Sequence, residues 1–258
     1  PADFLINKYI NKKEEEGNVI TFVIYKYTTG SYLEDQDMWR LGGIERDVVL
    51  YSQPKTHIRD FKVISTLDNG YSNGIFKLTV NAINHNDKEK VDVNILYELI
   101  DNDGKTILQN EEDSSIESMK ENVIQFDEQT IQKVNRWSAE DPCLYKLLIT
   151  LKKKSDNSVL EIVSFRIGFR KEEFTHIKWN NNDYTVLLFN GKPVIYKGVN
   201  IHEHDQNTGH YVTDEVRLKD IELLKQNNFN ALRFSHYPNC RRLYEMCDEY
   251  GFYVVSEC

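Results

Sequence analysis

Residues 197–210 read KGVNIHEHDQNTGH, residues 229–239 read FNALRFSHYPN, and residues 251–257 read GFYVVSE. Three short apolar segments, 197–200, 230–234 and 252–256, alternate with two stretches of helical period. In the first stretch Thr213 stands at an N-cap position, with Asp214 and Glu215 in the favourable first turn. Leu218, Ile221 and Leu224 then recur on one face, with Leu223 beside them. The second stretch starts after Pro238-Asn239 and ends at Gly251, a residue suited to the left-handed position that closes a helix. Cys240, Leu243, Cys247 and Tyr250 share its apolar face. Strands that alternate with helices of this length predict βαβ units and a parallel sheet. Polar residues follow the strands: Asn200, His202, Glu203 and His204 after the first, Ser235, His236, Tyr237 and Asn239 after the second. In a (β/α)8 barrel that carboxyl-terminal rim is where active sites are built.

Working upstream, residues 171–196 predict a polar link and a hairpin, because Asn190-Gly191 is a strong two-residue hairpin signal. Residues 51–170 predict a complete all-β unit. Strand candidates fall at 58–67, 75–82, 91–100, 106–109, 144–151 and 160–169, separated by turn clusters such as Asp68-Asn69-Gly70 and Asn102-Asp103-Gly104. That spacing suits an immunoglobulin-like sandwich. Residues 1–50 predict the tail of a further β domain. Residues 18–27 (NVITFVIYKY) are β-rich and apolar on both faces, which predicts an inner strand covered on each side.

Composition excludes several classes. The 258 residues carry a net charge of −9 and no basic stripe, which argues against nucleic acid as a partner. Four cysteines are too few and too scattered for a disulfide framework. Cys240 and Cys247 share a helix face and read as small buried apolar residues. No apolar run approaches the roughly 20 residues of a membrane span. No signal peptide is visible, which says nothing of the parent protein; a soluble protein is expected, the cytoplasm favoured over the periplasm.

Taken together, GVNxHEH, KQNNFNAxRxSHYPN and CDxYGxYVVxE resemble the start of the catalytic barrel of glycoside hydrolase family 2, most closely its bacterial β-galactosidases. Residues 30–48 (GSYLEDQDMWRLGGIERDV) resemble the end of that family's jelly-roll sugar-binding domain. Trp137-Ser138 and Asp141-Pro142-Cys143-Leu144-Tyr145 resemble a signature of its immunoglobulin-like domain, and residues 165–170 (FRIGFR) the strand that hands over to the barrel. The resemblance implies three parts: residues 1–50 as the C-terminal part of a jelly roll, 51–170 as the sandwich, and 171–258 as the N-terminal part of a TIM barrel. It implies a retaining β-galactosidase that hydrolyses terminal β-D-galactosides. The alternatives are another activity of the family, such as a β-glucuronidase, or a non-catalytic carbohydrate-binding or assembly module.

The same resemblance supplies the candidate site. Retaining glycosidases use two carboxyls about 5–5.5 Å apart, and both are expected beyond Cys258, as is most of a magnesium site. His202 and His236 are the expected contacts to galactose hydroxyls, with Asn200 and Arg233 in support. Asp37 is expected to touch the sugar and to help hold a sodium ion. Glu203 and Glu257 are expected as supporting residues rather than the catalytic pair, and His204 and His210 as loop residues. The parent is expected to be a homo-oligomer.

Overall fold

The computed structural model describes residues 2–11, 13, 17–33 and 39–257. Asp37 therefore lies outside the described residues. Residues 56–167 build an antiparallel sandwich of eight strands. One sheet orders β1 (Thr56–Leu67), β2 (Gly74–Asn84) and β5 (Lys120–Gln125), with β6 (Gln129–Ile131) also on β2. The other orders β4 (Thr106–Ile116), β3 (Val91–Ile100), β7 (Tyr145–Lys153) and β8 (Val159–Ile167). Side chains on a strand alternate between faces, and β3 shows it: Val93, Ile95, Tyr97 and Leu99 are fully buried, while the residues between them are not. They meet Phe76, Leu78 and Val80 of β2 and Leu147 and Ile149 of β7 in one core. Tyr97 lies edge-on to Phe126 at 4.9 Å, and burial pushes its hydroxyl up to about 12.

The region read as a polar link is largely strand. β9 (Glu172–Trp179) pairs with β10 (Asn182–Phe189), which turns at Asn190-Gly191 into β11 (Lys192–Pro193). Both hairpin turns put two consecutive residues at positive φ: Asn180 (48°) and Asn181 (62°), then Asn190 (51°) and Gly191 (78°). That is the backbone a two-residue hairpin demands.

The expected inner strand over residues 18–27 does not form. The only regular element described before β1 is the single turn α1 (Gly30–Leu33). Val19, Val23 and Tyr25 are 89%, 73% and 76% exposed. An apolar, β-branched run becomes a strand only when a ladder takes its amides and carbonyls and other layers cover its faces. Among the described residues neither is supplied.

The last part is a βαβαβ unit. β12 (Gly198–Ile201), β13 (Ala231–Phe234) and β14 (Tyr253–Ser256) run parallel in that order, joined by α2 (Asp214–Gln226) and α3 (Arg241–Tyr250). Thr213 is the N-cap of α2, but its side chain makes no capping bond to the helix amides. One sheet face turns Val199, Leu232, Phe234 and Val254 toward Ile221 of α2 and Leu243, Met246 and Cys247 of α3. On the other face the strand starts are apolar and covered: Ala231 and Tyr253 pack with Trp137, Ala139 and Phe189 in a separate cluster. Trp137, 1% exposed, donates its indole N–H to the Asp248 carbonyl at 2.8 Å. Lys225 donates to the carbonyls of Ala139 (2.8 Å) and Gly251 (3.0 Å). Arg166 of β8 pairs with Glu249 of α3. The sandwich thus seals the amino ends of the parallel strands.

Candidate functional site

The register of the parallel strands decides which side chains converge. Asn200, Arg233 and Val255 form one row, and Ile201, Phe234 and Ser256 the next. Residues in one row of a parallel sheet face the same way. The face opposite the helices therefore carries Asn200 and Arg233 near its carboxyl end. His202, Ser235 and Glu257 extend it past the last pairs.

His202 and His236 come together with ring centroids 5.3 Å apart and ring planes at 72°. His236 Nδ1 lies 3.1 Å from Glu257 Oε2. Arg233 binds the other oxygen of Glu257, and its second nitrogen donates to Ser235 Oγ at 3.3 Å. Partial burial pushes the Glu257 carboxyl up, but the bonds from Arg233 and His236 outweigh it and hold the group below its ordinary value. Glu257 is therefore a carboxylate at neutral pH and an acceptor only. An ionised carboxylate only accepts, so the proton in this bond sits on His236 Nδ1. Asn200 is exposed, in the same row as Arg233. The Ser235–His236 peptide bond is cis. Asn239 is 6% exposed, and its side-chain oxygen accepts the amide of Cys240 at 2.8 Å, a bond that serves the start of α3.

A second cluster lies beside the first. Glu203 is 5% exposed, yet its side chain is ionically paired on both oxygens. Arg46 reaches Oε2 at 2.7 Å and Arg217 of α2 reaches Oε1 at 3.0 Å. His210, expected as a plain loop residue, donates Nδ1–H to the Glu203 backbone carbonyl at 2.8 Å. His204 meets the ring of Trp39 edge-on at 4.0 Å. Sequence reasoning missed Arg46 and Arg217. Arg46 is 157 residues from its partner, and nothing local marks it. The one available signal was Glu203 itself, an acidic residue just past a strand end, which needs a cation if it is buried.

Among the described residues no three of His, Cys, Asp and Glu gather into a metal-holding group. No described helix is long and apolar enough to cross a membrane.

Comparison with known proteins adds an independent line. The glycosyl hydrolases family 2 sugar binding domain matches residues 1–54, glycosyl hydrolases family 2 matches residues 56–170, and the glycosyl hydrolases family 2 TIM barrel domain matches residues 181–258. A β-galactosidase of Priestia megaterium is 37% identical over 258 residues, covering 100% of this chain and 24% of its own length. One from Streptococcus thermophilus is 39% identical over 257 residues, covering 100% and 23%. The chain thus spans about a quarter of the length of the curated relatives it matches. A crystal structure of a Bacteroides uniformis β-glucuronidase superposes with a TM-score of 0.77 at 22% identity, over 86% of this chain and 26% of that one, a likeness of fold.

Proposed function

The chain belongs to glycosyl hydrolase family 2, and from that premise we propose that it is an internal part of a retaining β-galactosidase acting on terminal β-D-galactosides. The carrying observation is the pair of imidazoles 5.3 Å apart at the ends of two parallel strands, one of them pinned by a carboxylate. In the tautomer with its proton on Nδ1, His236 offers Nε2 as an acceptor to a sugar hydroxyl. A hydroxyl on a ring that flattens toward an oxocarbenium ion becomes a better donor, so this bond strengthens in the transition state. His202, free of the strand ladder and exposed, can donate to one hydroxyl and accept from another. Arg233 keeps Glu257 ionised and in place. Asn200 and Asp37 are the remaining proposed contacts, Asp37 being proposed for both the sugar and sodium.

Neither described rim glutamate suits the role of nucleophile or acid. Both oxygens of Glu203 are held by guanidinium groups, and those of Glu257 by Arg233 and His236. The reading places the catalytic glutamates elsewhere in a longer protein. It also carries magnesium and sodium there, together with homo-oligomeric assembly. The described residues do not fit a magnesium site, and the chemistry above runs through neither ion.

The test is hydrolysis of nitrophenyl β-galactoside and β-glucuronide by the full-length protein, with the first-formed sugar read by proton NMR. Faster turnover of the galactoside, with β-galactose appearing first, is expected. Preference for the glucuronide, or an α product, would overturn the proposal.

A further inference from the structure

We propose that Glu203 is a positioning residue, whose buried carboxylate docks residues 39–46 onto the barrel rim. The inference rests on the functional reading above for its consequence, though not for its geometry. Glu203 joins three separate pieces of chain. Arg46 comes from the segment that precedes the sandwich, Arg217 from α2, and Glu203 itself from the loop after β12. The same Arg46 nitrogen that reaches Glu203 also donates to the Pro238 carbonyl at 2.8 Å, in the loop after β13. Arg217 spends its other terminal nitrogen on Asp214 at 2.8 Å. At the far end of the segment, Trp39 rests on His204, and its carbonyl lies 3.4 Å from His210 Nε2.

The position of this cluster gives it meaning. Glu203 follows His202 directly, and Pro238 comes two residues after His236. Arg46 therefore ties together the two loops whose histidines face each other. Trp39 follows directly on residues 34–38, the stretch that holds Asp37. A clamp at Glu203 thus fixes Trp39 against the rim loop that carries His204.

Charge is a costly way to gain stability here. Desolvation of a buried ion pair is seldom repaid in full, and an apolar cluster of similar volume often serves the fold better. What two guanidinium groups around one carboxylate do supply is register: fork geometry accepts one arrangement and rejects its neighbours. Arg46 is 45% exposed while Glu203 is 4% exposed in their side chains, so the clamp closes from the solvent side onto a carboxylate already anchored by Arg217.

The test uses two arms. In the first, the Trp39 indole N–H is followed by NMR in the 258-residue chain, as wild type, Glu203→Gln and Arg46→Met. Both variants should lose the Trp39–His204 ring contact. The indole order parameter should fall from about 0.85 to below about 0.6, while the Trp137 indole stays unchanged. The double variant should be little looser than Arg46→Met alone, because the Arg46–Glu203 contact is shared by the two substitutions. In the second arm the same substitutions enter the full-length enzyme. KM should rise about 10- to 100-fold, the loss expected for a charged hydrogen bond, with kcat held within about threefold. Arg46→Lys should recover part of the affinity. If Glu203→Gln fails to fold, Arg46→Met still decides, since its side chain is half exposed. An unmoved Trp39 in Arg46→Met would refute the docking. A loosened segment with wild-type KM would refute the positioning role. A wild-type enzyme that turns over no galactoside would sink the functional reading, and the NMR arm would still judge the clamp.

Discussion

Replacing Trp137 with Ala should uncouple the sandwich from the parallel strands without unfolding the sandwich. Trp137 belongs to neither main core: it packs with Ala139, Phe189, Ala231 and Tyr253. Phe189 and Tyr253 meet it edge-on at 5.8 and 5.7 Å, and Arg170 stacks over its ring at 5.3 Å. Truncating a buried Trp costs about 3–5 kcal/mol. The Asp248 carbonyl loses its donor as well, a further penalty of about 1–3 kcal/mol. A sum of about 4–8 kcal/mol is comparable with the whole stability of many domains, and it falls on one seam. Trp137→Phe keeps most of the packing and loses the indole bond, so it should cost about 1–3 kcal/mol. The assay is native-state hydrogen exchange. In Trp137→Ala, amides of β12, β13 and β14 should lose protection by at least about 100-fold, while those of β3 and β7 keep theirs. Trp137→Phe should lie between. Equal loss in β3 and β14 would show that the seam is part of one cooperative core and would refute the reasoning.

Two further outcomes follow from single contacts. Gly251 has φ 76°, and a Cβ there would come within 2.3 Å of the Ala139 carbonyl oxygen, so Gly251→Ala should cost about 2 kcal/mol or more, read as a drop in melting temperature of about 4–8 °C. The depressed Glu257 carboxyl stabilises the fold above its unfolded pKa of about 4.3. That contribution is lost as pH falls through its still lower folded value. Glu257→Gln should remove this part of the acid limb, seen in melting temperatures between about pH 3 and 6, and an unchanged acid limb would count against the Arg233–Glu257–His236 arrangement.

Much of the fold is legible where local pattern and tertiary role agree. In β3 the apolar residues Val91, Val93, Ile95, Tyr97 and Leu99 recur at every second position, and these are the buried ones. The second half of β4 was not legible: residues 110–116 (NEEDSSI) have little strand propensity, and pairing with β3 holds them extended. β9 was hidden in the same way, since EEFTHIKW reads as a charged link until β10 folds back on it. Its clue was Asn180-Asn181, two residues that tolerate the left-handed backbone of a tight turn. Residues 18–27 fail in the other direction, a strand pattern with no described ladder to join. At the site, the strand ends were legible from the βα alternation, and His202 and His236 were singled out through the family resemblance. The clamp at Glu203 was not legible, because no local rule pairs residues 46, 203 and 217.

The most direct measurement is steady-state kinetics of His202→Phe and His236→Phe in the full-length enzyme on one β-galactoside, beside their melting temperatures. If both imidazoles grip sugar hydroxyls that polarise in the transition state, kcat should fall about 10²- to 10³-fold with little change in melting temperature. Near-wild-type kcat in both variants, with lowered melting temperatures, would make them packing residues and place the galactose site elsewhere.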